Sequence, residues 1–253
     1  MSTTYVLKII LPLLFAVSVG ELMGQSVLLE EDVNADTVEV VKGPNKRVFS
    51  HMYLGVAFAA GPDSAGSRIN YGKSFDITIG RRTKWKISSF YALGLDLEYH
   101  MSAFNLAQEA GKLLPNDSVH DSERLKFHNL AAGFYNRFSL NTRRGNYIGN
   151  FIDLGVRLDV PILSTHVTED ELDRAGYNNG RDIKTKTTDL RFITDFNYSG
   201  YFRLGFNKYV LTASYRLSDL FISDSNLYAK YGNGLTKYPE LPALSVGVQL
   251  GLH

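Results

Sequence analysis

The chain has no cysteine, so any catalytic or metal chemistry must come from its histidines, carboxylates and hydroxyl groups. The six histidines are His51, His100, His120, His128, His166 and His253. None of them has a partner at the spacing of a zinc site. His100 with Glu98, and His166 with Ser164, have the residue types of a lipid-modifying enzyme at a barrel rim, but no nucleophile elbow accompanies them. The sequence therefore predicts no catalytic residue, no metal ligand and no cofactor-binding residue.

The stretch GSRINYGKS, residues 66–74, resembles a phosphate-binding loop. It has five residues between Gly66 and Gly72 where that loop has four. The residues after Lys73 alternate as a strand, whereas a phosphate-binding loop opens a helix. We therefore do not interpret this stretch as a nucleotide site.

Charged residues recur at every second position of several segments, as in Asp96 and Glu98, opposite rows of aliphatic side chains. This spacing places the charges on one face of a strand. The charges concerned are Asp76, Asp96, Glu98, Arg137, Asp153, Arg157, Asp159, Asp189, Arg191, Asp195 and Arg216. We expect them to pair with one another inside a narrow barrel. The alternative is an ion or proton path lined by Asp96, Glu98, Asp153, Arg157 and Arg191.

Eight alternating segments position these charges, each about ten residues or longer, the length that a tilted strand needs to cross a membrane. They cover residues 48–60, 73–81, 84–101, 124–140, 147–163, 188–206, 209–217 and 244–253. The alternation changes phase near His128, which predicts a β-bulge there. Trp85 and Tyr209 stand at segment ends, as expected for an interfacial aromatic girdle.

The connections between the segments alternate in length. Three are short, namely residues 81–84, 141–146 and 207–208, and four are long, namely residues 61–70, 104–121, 164–187 and 218–240. In an up-and-down meander this places all short turns at one end and all long loops at the other. The predicted fold is all-β: an eight-stranded antiparallel up-and-down transmembrane β-barrel with four long outer loops and three short periplasmic turns. A secreted soluble barrel of lipocalin type is the alternative.

The loops are the expected working surface of such a barrel. Thr168 with Glu171 forms a capping box and Gly176 a stop, which predicts a helical turn in the third long loop. Tyr228, Tyr231 and Tyr238 stand among lysines in the last one, a composition suited to glycan or protein contact.

The N-terminus has the pattern of a secretion signal. Lys8 precedes an apolar run from Ile9 to Val19, which is too short to span a bilayer. We interpret residues 1–24 as a signal peptide, cleaved after Gly20 or Gly24, residues 25–46 as a flexible periplasmic segment, and residues 47–253 as the barrel. The formal net charge of +1 argues against a nucleic-acid partner.

The strand end YRLSDLF, residues 215–221, and the final LPALSVGVQLGLH, residues 241–253, resemble the PorT-like outer-membrane β-barrel domain family. The resemblance implies an outer-membrane location, with outer-membrane lipid and other envelope or secretion-machinery proteins as partners. It also implies an accessory role in envelope assembly or type IX protein secretion. We therefore expect a structural or partner-binding role and no enzyme, with a narrow channel for ions or small solutes, or a rim-located lipid-modifying enzyme, as the alternatives.

Overall fold

The computed structural model describes residues 43–143, 145–172, 181–224 and 236–252. Their strands are β1 (Val48–Ala59), β2 (Phe75–Lys86), β3 (Tyr91–Asn105), β4 (Ser122–Ser139), β5 (Asn150–Leu172), β6 (Arg181–Thr188), β7 (Asn197–Phe206), β8 (Tyr209–Arg216) and β9 (Leu244–Leu252). A single 3-10 turn, Tyr71–Lys73, precedes β2. None of the described residues belongs to a helix long and apolar enough to cross a membrane. The predicted signal peptide and most of the segment 25–46 lie outside the described residues.

Eight of the strands form a closed antiparallel barrel. Each pairs with its neighbour along the chain, except that β7 follows β5 because β6 stands outside the ring. The ring closes where β9 pairs with β1, with Val248 opposite Val56, while the other edge of β9 pairs with β8. Short turns lie at one end of the barrel and long connections at the other. The predicted eight-stranded up-and-down barrel is confirmed.

The outward rows of the barrel are apolar and exposed. Met52, Leu54, Val56 and Phe58 of β1 are 43–49% exposed, whereas the inward Tyr53 between them is 0% exposed. The same alternation occurs in the middle of β5, at Leu154, Val156 and Leu158, and in β9 at every second residue from Val246 to Leu252. An apolar belt around a polar interior is what a barrel embedded in lipid requires, since the bilayer takes the place of a hydrophobic core. The chain is therefore a small barrel of the outer-membrane type.

Aromatic side chains border this belt near the short turns. Trp85 and Tyr209 are 41% and 70% exposed, and both lie next to the end of their strand. The predicted aromatic positions at this end are confirmed. Exposed aromatic rings at the ends of barrel strands are typical of the interface between a membrane and water.

The first short turn lies further along the chain than predicted. Residues 81–84 belong to β2, and the turn is formed by residues 87–90, where the Ser88 hydroxyl accepts from the Tyr91 amide at 3.0 Å. The prediction treated consecutive charges as exposed turn residues. Arg82 and Lys84 instead continue the inward row of β2, and both are buried.

The third long connection is a β-hairpin, so the predicted helical turn is wrong. Thr168 and Glu171 lie in β5, which pairs with β6 from Thr165 to Leu172. These residues favour a helix cap locally, but the pairing of β5 with β6 beyond the barrel determines the structure. Gly176 lies outside the described residues.

The predicted sixth segment was too long, because β7 begins only at Asn197. Asp189 adopts φ +58, which ends β6, and Asp189, Arg191 and Asp195 then lie in the connection between β6 and β7. These three charges do not face the lumen. Leu190, in the same connection, packs against an apolar cluster formed by the loops.

The predicted bulge is confirmed, because the β4–β5 register shifts between His128 and Asn129. The extra residue is Ile162 of β5, since His128 is opposite Leu163 and Asn129 is opposite Pro161. Ile148, which the predicted segment 147–163 included, is 3% exposed. It precedes β5 and is separated from it by Gly149, whose φ of +72 turns the chain under the barrel end.

Closure depends on Gly247, whose added Cβ would lie 2.1 Å from the backbone oxygen of Val56 and 2.4 Å from Cα of Ala57. We expect Gly247→Ala to prevent closure of the β1–β9 seam, because the clash is with backbone that cannot move aside. Heat-modifiable mobility on a denaturing gel measures the folded fraction. The neighbouring Ser245→Ala should fold fully, and full folding of Gly247→Ala would contradict the seam geometry.

Candidate functional site

The first of two chains of ion pairs in the lumen is centred on Arg203. Its Nη1 donates to Asp96 Oδ2 at 2.7 Å, and its Nε lies 3.3 Å from Asp153 Oδ2. Arg82 donates to the other oxygen of Asp96 at 2.9 Å. Arg137 binds Asp153 through two hydrogen bonds of 2.7 and 2.8 Å. All five side chains are at most 2% exposed, and they come from five different strands.

The second chain lies nearer the long loops. Arg157 donates from Nη1 to Glu98 Oε1 at 2.9 Å, and its Nε lies 2.8 Å from Asp159 Oδ1. Asp159 is also 3.0 Å from His100 Nε2, and the Tyr53 hydroxyl donates to Glu98. This chain ties β1, β3 and β5 together across the lumen.

The two chains contain four guanidinium groups and four carboxylates, so each buried charge has an opposite charge beside it. The predicted pairing is confirmed for Asp96, Glu98, Arg137, Asp153, Arg157 and Asp159. Arg191, predicted to line an ion path, is exposed in the β6–β7 connection. The paired side chains occupy the interior of a barrel that is only wide enough for side chains.

Large aromatic side chains complete the lumen by lying over glycines of the neighbouring strand. Tyr135 is opposite Gly94 in the β3–β4 register, and a Cβ on Gly94 would lie 2.0 Å from the Tyr135 ring. Tyr201 lies over Gly155 in the same way, at 2.4 Å. The rings then face the guanidinium groups, with Arg203 Cζ 4.8 Å from the Tyr135 ring centroid. Cation–π contact stabilises the arginines in this narrow space.

Sequence reasoning missed several lumen residues. Arg82 and Lys84 were assigned to a turn, and Arg203 was not singled out at all. Extending the inward phase of each strand at a strict period of two would have included Arg82, Lys84, Tyr201 and Arg203. Their partners could not be inferred, because those depend on which strands face each other after closure.

Apolar clusters lie at both ends of the lumen. At the short-turn end, Phe49, Ile148, Phe151 and Val210 are buried against one another. At the other end a larger cluster, the loop cap, joins residues of three loops and β4. Its buried members are Ile69, Leu106, Leu114, Leu125, Phe127, Leu220, Phe221, Tyr238 and Leu241. Tyr238, predicted as a contact residue, is thus 4% exposed, while Tyr228 and Tyr231 lie outside the described residues.

A polar chamber of about 80 Å³ lies beneath the loop cap. Its walls include Asp76, His100, Arg157, Asp159 and Arg216. This volume is large enough for several water molecules. Glu240 holds two residues of this wall in place, because it binds Arg216 Nη2 at 3.1 Å and accepts from the Leu220 amide at 3.0 Å.

The two histidine pairs considered for a rim enzyme do not form. His100 binds Asp159 and not Glu98, and His166 Nε2 lies 2.7 Å from Glu123 Oε1. The Ser164 hydroxyl instead accepts a hydrogen bond from the Leu190 amide at 2.9 Å. These contacts give neither histidine the serine that a hydrolytic site at the rim would need.

His166 and Glu123 belong to a polar cluster, the loop clamp, which fastens the β3–β4 loop to the wall. Glu123 is 1% exposed and also binds Lys112 and Gln108 of that loop, the latter at 2.8 Å. This carboxyl lies seven residues before Leu130, outside the membrane belt. Burial opposes its ionisation, but the hydrogen bonds from His166, Lys112 and Gln108 prevail and lower its pKa.

Beyond the belt, β4, β5 and β6 continue as a small sheet, the outer sheet. Residues 122–128 of β4 pair with β5, and residues 165–172 of β5 pair with β6. Since β5 pairs with β7 only from Asn150 to Asp159, the outer sheet extends past the ring on the side of β5 and β6, while its β4 residues 124–128 still pair with β3. Within the described residues β6 pairs with β5 alone, and Ile183 on it is 46% exposed.

Comparisons with known proteins give a structural likeness only. No protein-family model and no curated protein matches the chain. It is similar to a crystal structure of Ail, the attachment invasion locus protein of Yersinia pestis, with a TM-score of 0.32 and 12% identity over 80% of this chain and 93% of that one. A structure of Ail in complex with the heparin analogue sucrose octasulfate gives a TM-score of 0.30 and 11% identity over 80% and 94%. Because these TM-scores and identities are low, the assignment of the fold rests on the strand pairings described above.

Removing one partner of the Arg137–Asp153 pair should destabilise the barrel strongly. We expect Asp153→Asn to lower the free energy of unfolding by about 3–5 kcal/mol, because two arginines lose a buried counter-charge. Urea unfolding in lipid vesicles measures this. The double variant Arg137→Met, Asp153→Leu should be closer to wild type than Asp153→Asn, and an Asp153→Asn barrel as stable as wild type would contradict the pairing.

The loop clamp predicts an acid-sensitive loop. A lowered pKa means that ionised Glu123 stabilises the folded loop above the ordinary carboxyl value of 4.5 and that this stabilisation is lost as the pH falls through the lowered pKa. We expect cleavage of the β3–β4 loop by an acid-active protease to rise over that window. In Glu123→Gln the loop should already be cleaved at pH 7 by a neutral protease, and equal protection in both proteins would exclude the clamp.

Proposed function

We propose that the protein is a small outer-membrane β-barrel with a structural or partner-binding role. The observation that carries this proposal is the filled interior, in which paired charges occupy the lumen and apolar clusters lie at both ends. When the lumen is filled in this way, the surfaces available for binding are those on the outside of the barrel. In the membrane these are the lipid-facing belt and the structures beyond it.

The outer sheet is the surface best suited to a protein partner. It is rigid, because β4 and β5 continue directly from the barrel wall, and it projects beyond the ring. Binding surfaces on rigid scaffolds hold their geometry without an ordering cost. We propose another envelope protein as the partner, bound at the exposed side of β6.

An accessory role in envelope assembly or type IX secretion is the finer form of this proposal. Its support is the resemblance of residues 215–221 and 241–253 to the PorT-like family. We also propose that residues 1–24 are removed during export, which the mass of the mature protein purified from its envelope would test. Loss of exported substrates on deletion of the gene would support the secretion role.

A narrow channel is the second candidate function. The observation that favours it is the polar chamber, whose charged walls would attract ions. The apolar clusters at both ends count against it, since apolar constrictions exclude water and ions.

Site-specific crosslinking in native envelopes tests the partner-binding proposal. A photo-crosslinking residue in place of Ile183 should capture one defined envelope protein, identified by mass spectrometry. The same residue in place of Ser89, at the exposed short turn, should not capture it. Identical products at both positions, or lipid alone at position 183, would contradict a partner at the outer sheet.

A further inference from the structure

The outward row of β4 changes character where the strand leaves the membrane belt. Leu130 and Phe134 face lipid, but the next outward residues toward the long loops are His128, Lys126 and Arg124. At about 3.4 Å per residue, Lys126 stands about 14 Å along the strand from Leu130, at the level of lipid headgroups.

The strand pairing brings further cations to the same face. Arg124 is opposite Val167, which is opposite Lys186, so the two cations lie on either side of β5. Two strand spacings separate their backbones by about 10 Å, and Lys126 lies about 7 Å from Arg124 along β4. We call Arg124, Lys126 and Lys186 the cationic triangle. Val167 at its centre is 8% exposed, because the surrounding long side chains cover it.

None of the three cations forms an ion pair with a carboxylate of the described residues. Glu169 lies close enough to interact electrostatically with Arg124 and Lys126, but its ion pair is with Lys184, outside the triangle. Glu171 lies further toward the hairpin tip. Arg124 is held in place because its Nε donates to Asn105 Oδ1 at 2.8 Å, which leaves its terminal nitrogens for another acceptor. An anion placed among the three cations would be attracted by all of them.

Other sectors of the barrel have a different composition at this level. Phe58 of β1, Tyr198 of β7 and Tyr215 of β8 are exposed where their strands approach the long loops. These rings are typical of a membrane boundary and have no charge. The ends of these three strands therefore carry uncharged rings, whereas the sector of β4, β5 and β6 carries three cations on one face, directly above the lipid-facing belt.

We propose that the cationic triangle binds the phosphate groups of an anionic lipid in the outer leaflet. Continuity with the apolar belt favours a lipid over a soluble anion, because acyl chains would lie on Leu130 and Phe134 while the headgroup meets the cations. Arginine recognises phosphate through paired donors, and lysine adds charge. The inference rests on the membrane location in the proposed function, and it adds a specific lipid site to the outer wall.

Native mass spectrometry of the protein released from lipid nanodiscs tests this proposal. The probes are doubly phosphorylated lipid A and its fully dephosphorylated counterpart. Wild-type protein should retain the phosphorylated lipid preferentially. The variant Arg124→Gln, Lys126→Gln, Lys186→Gln should bind it more weakly by about fivefold per charge removed, about a hundredfold in total.

A matched variant, Lys73→Gln, Arg143→Gln, Lys208→Gln, removes three exposed cations elsewhere and should retain the lipid as wild type does. Insertion of each protein into nanodiscs is measured first, so a failure to insert would count against the membrane location and not against the lipid site. Equal retention of both lipids, or equal losses in the two variants, would overturn the proposal. Full displacement of the lipid by inorganic pyrophosphate would also overturn it, because the site would then bind soluble anions.

Discussion

Buried arginines paired with buried carboxylates are the interaction on which this barrel depends. An isolated charge in so narrow an interior would cost several kcal/mol, and here each carboxylate has at least one guanidinium beside it. The pairs also join strands that do not neighbour each other, as when Arg203 of β7 donates to Asp96 of β3 at 2.7 Å. The polar network thus takes the position that an apolar core has in a soluble barrel. Lipid then covers the apolar rows outside.

The network needs close packing, and glycines provide it. A ring can lie flat on the wall only where the neighbouring strand has no side chain, as Tyr135 does over Gly94. The ring then has its face toward arginine and its hydroxyl within reach of another strand, 3.3 Å from the Thr83 carbonyl. One inward residue therefore fills space in the lumen, stabilises a cation and forms a hydrogen bond to another strand of the wall. Near the short turns the side chains leave little space for water in the lumen. The small chamber lies closer to the long loops, beneath the loop cap.

Much of the barrel could be predicted from the sequence because long segments with a period of two are typical of β-strands and of no other regular structure. The outward rows of β1, β5 and β9 and the order of short and long connections followed from that pattern. Prediction failed where two rules competed. Arg82 and Lys84 were taken for turn residues because charges are usually exposed, and Thr168 with Glu171 matched a helix cap although strand pairing prevailed. The loop cap could not be predicted, since apolar loop residues such as Phe221 have no regular period.

The two ends of the barrel differ in what they offer. The short-turn end is tied by contacts between the segment before β1 and the β4–β5 turn, including Asn45 Nδ2 donating to the Gly145 carbonyl at 2.6 Å. The long-loop end has the loop cap, the loop clamp, the outer sheet and the cationic triangle, so it has both the rigidity and the chemical variety that recognition requires. Function at this end is compatible with a lumen that conducts nothing.

The central claim is that the lumen is filled and closed, and planar-bilayer conductance tests it most directly. The purified protein, inserted in a bilayer at neutral pH, should show no resolved single-channel steps above the background of protein-free bilayers. Well-resolved channels that disappear on charge removal at Asp153 or Arg157 would contradict the account, because current would then pass through the paired core.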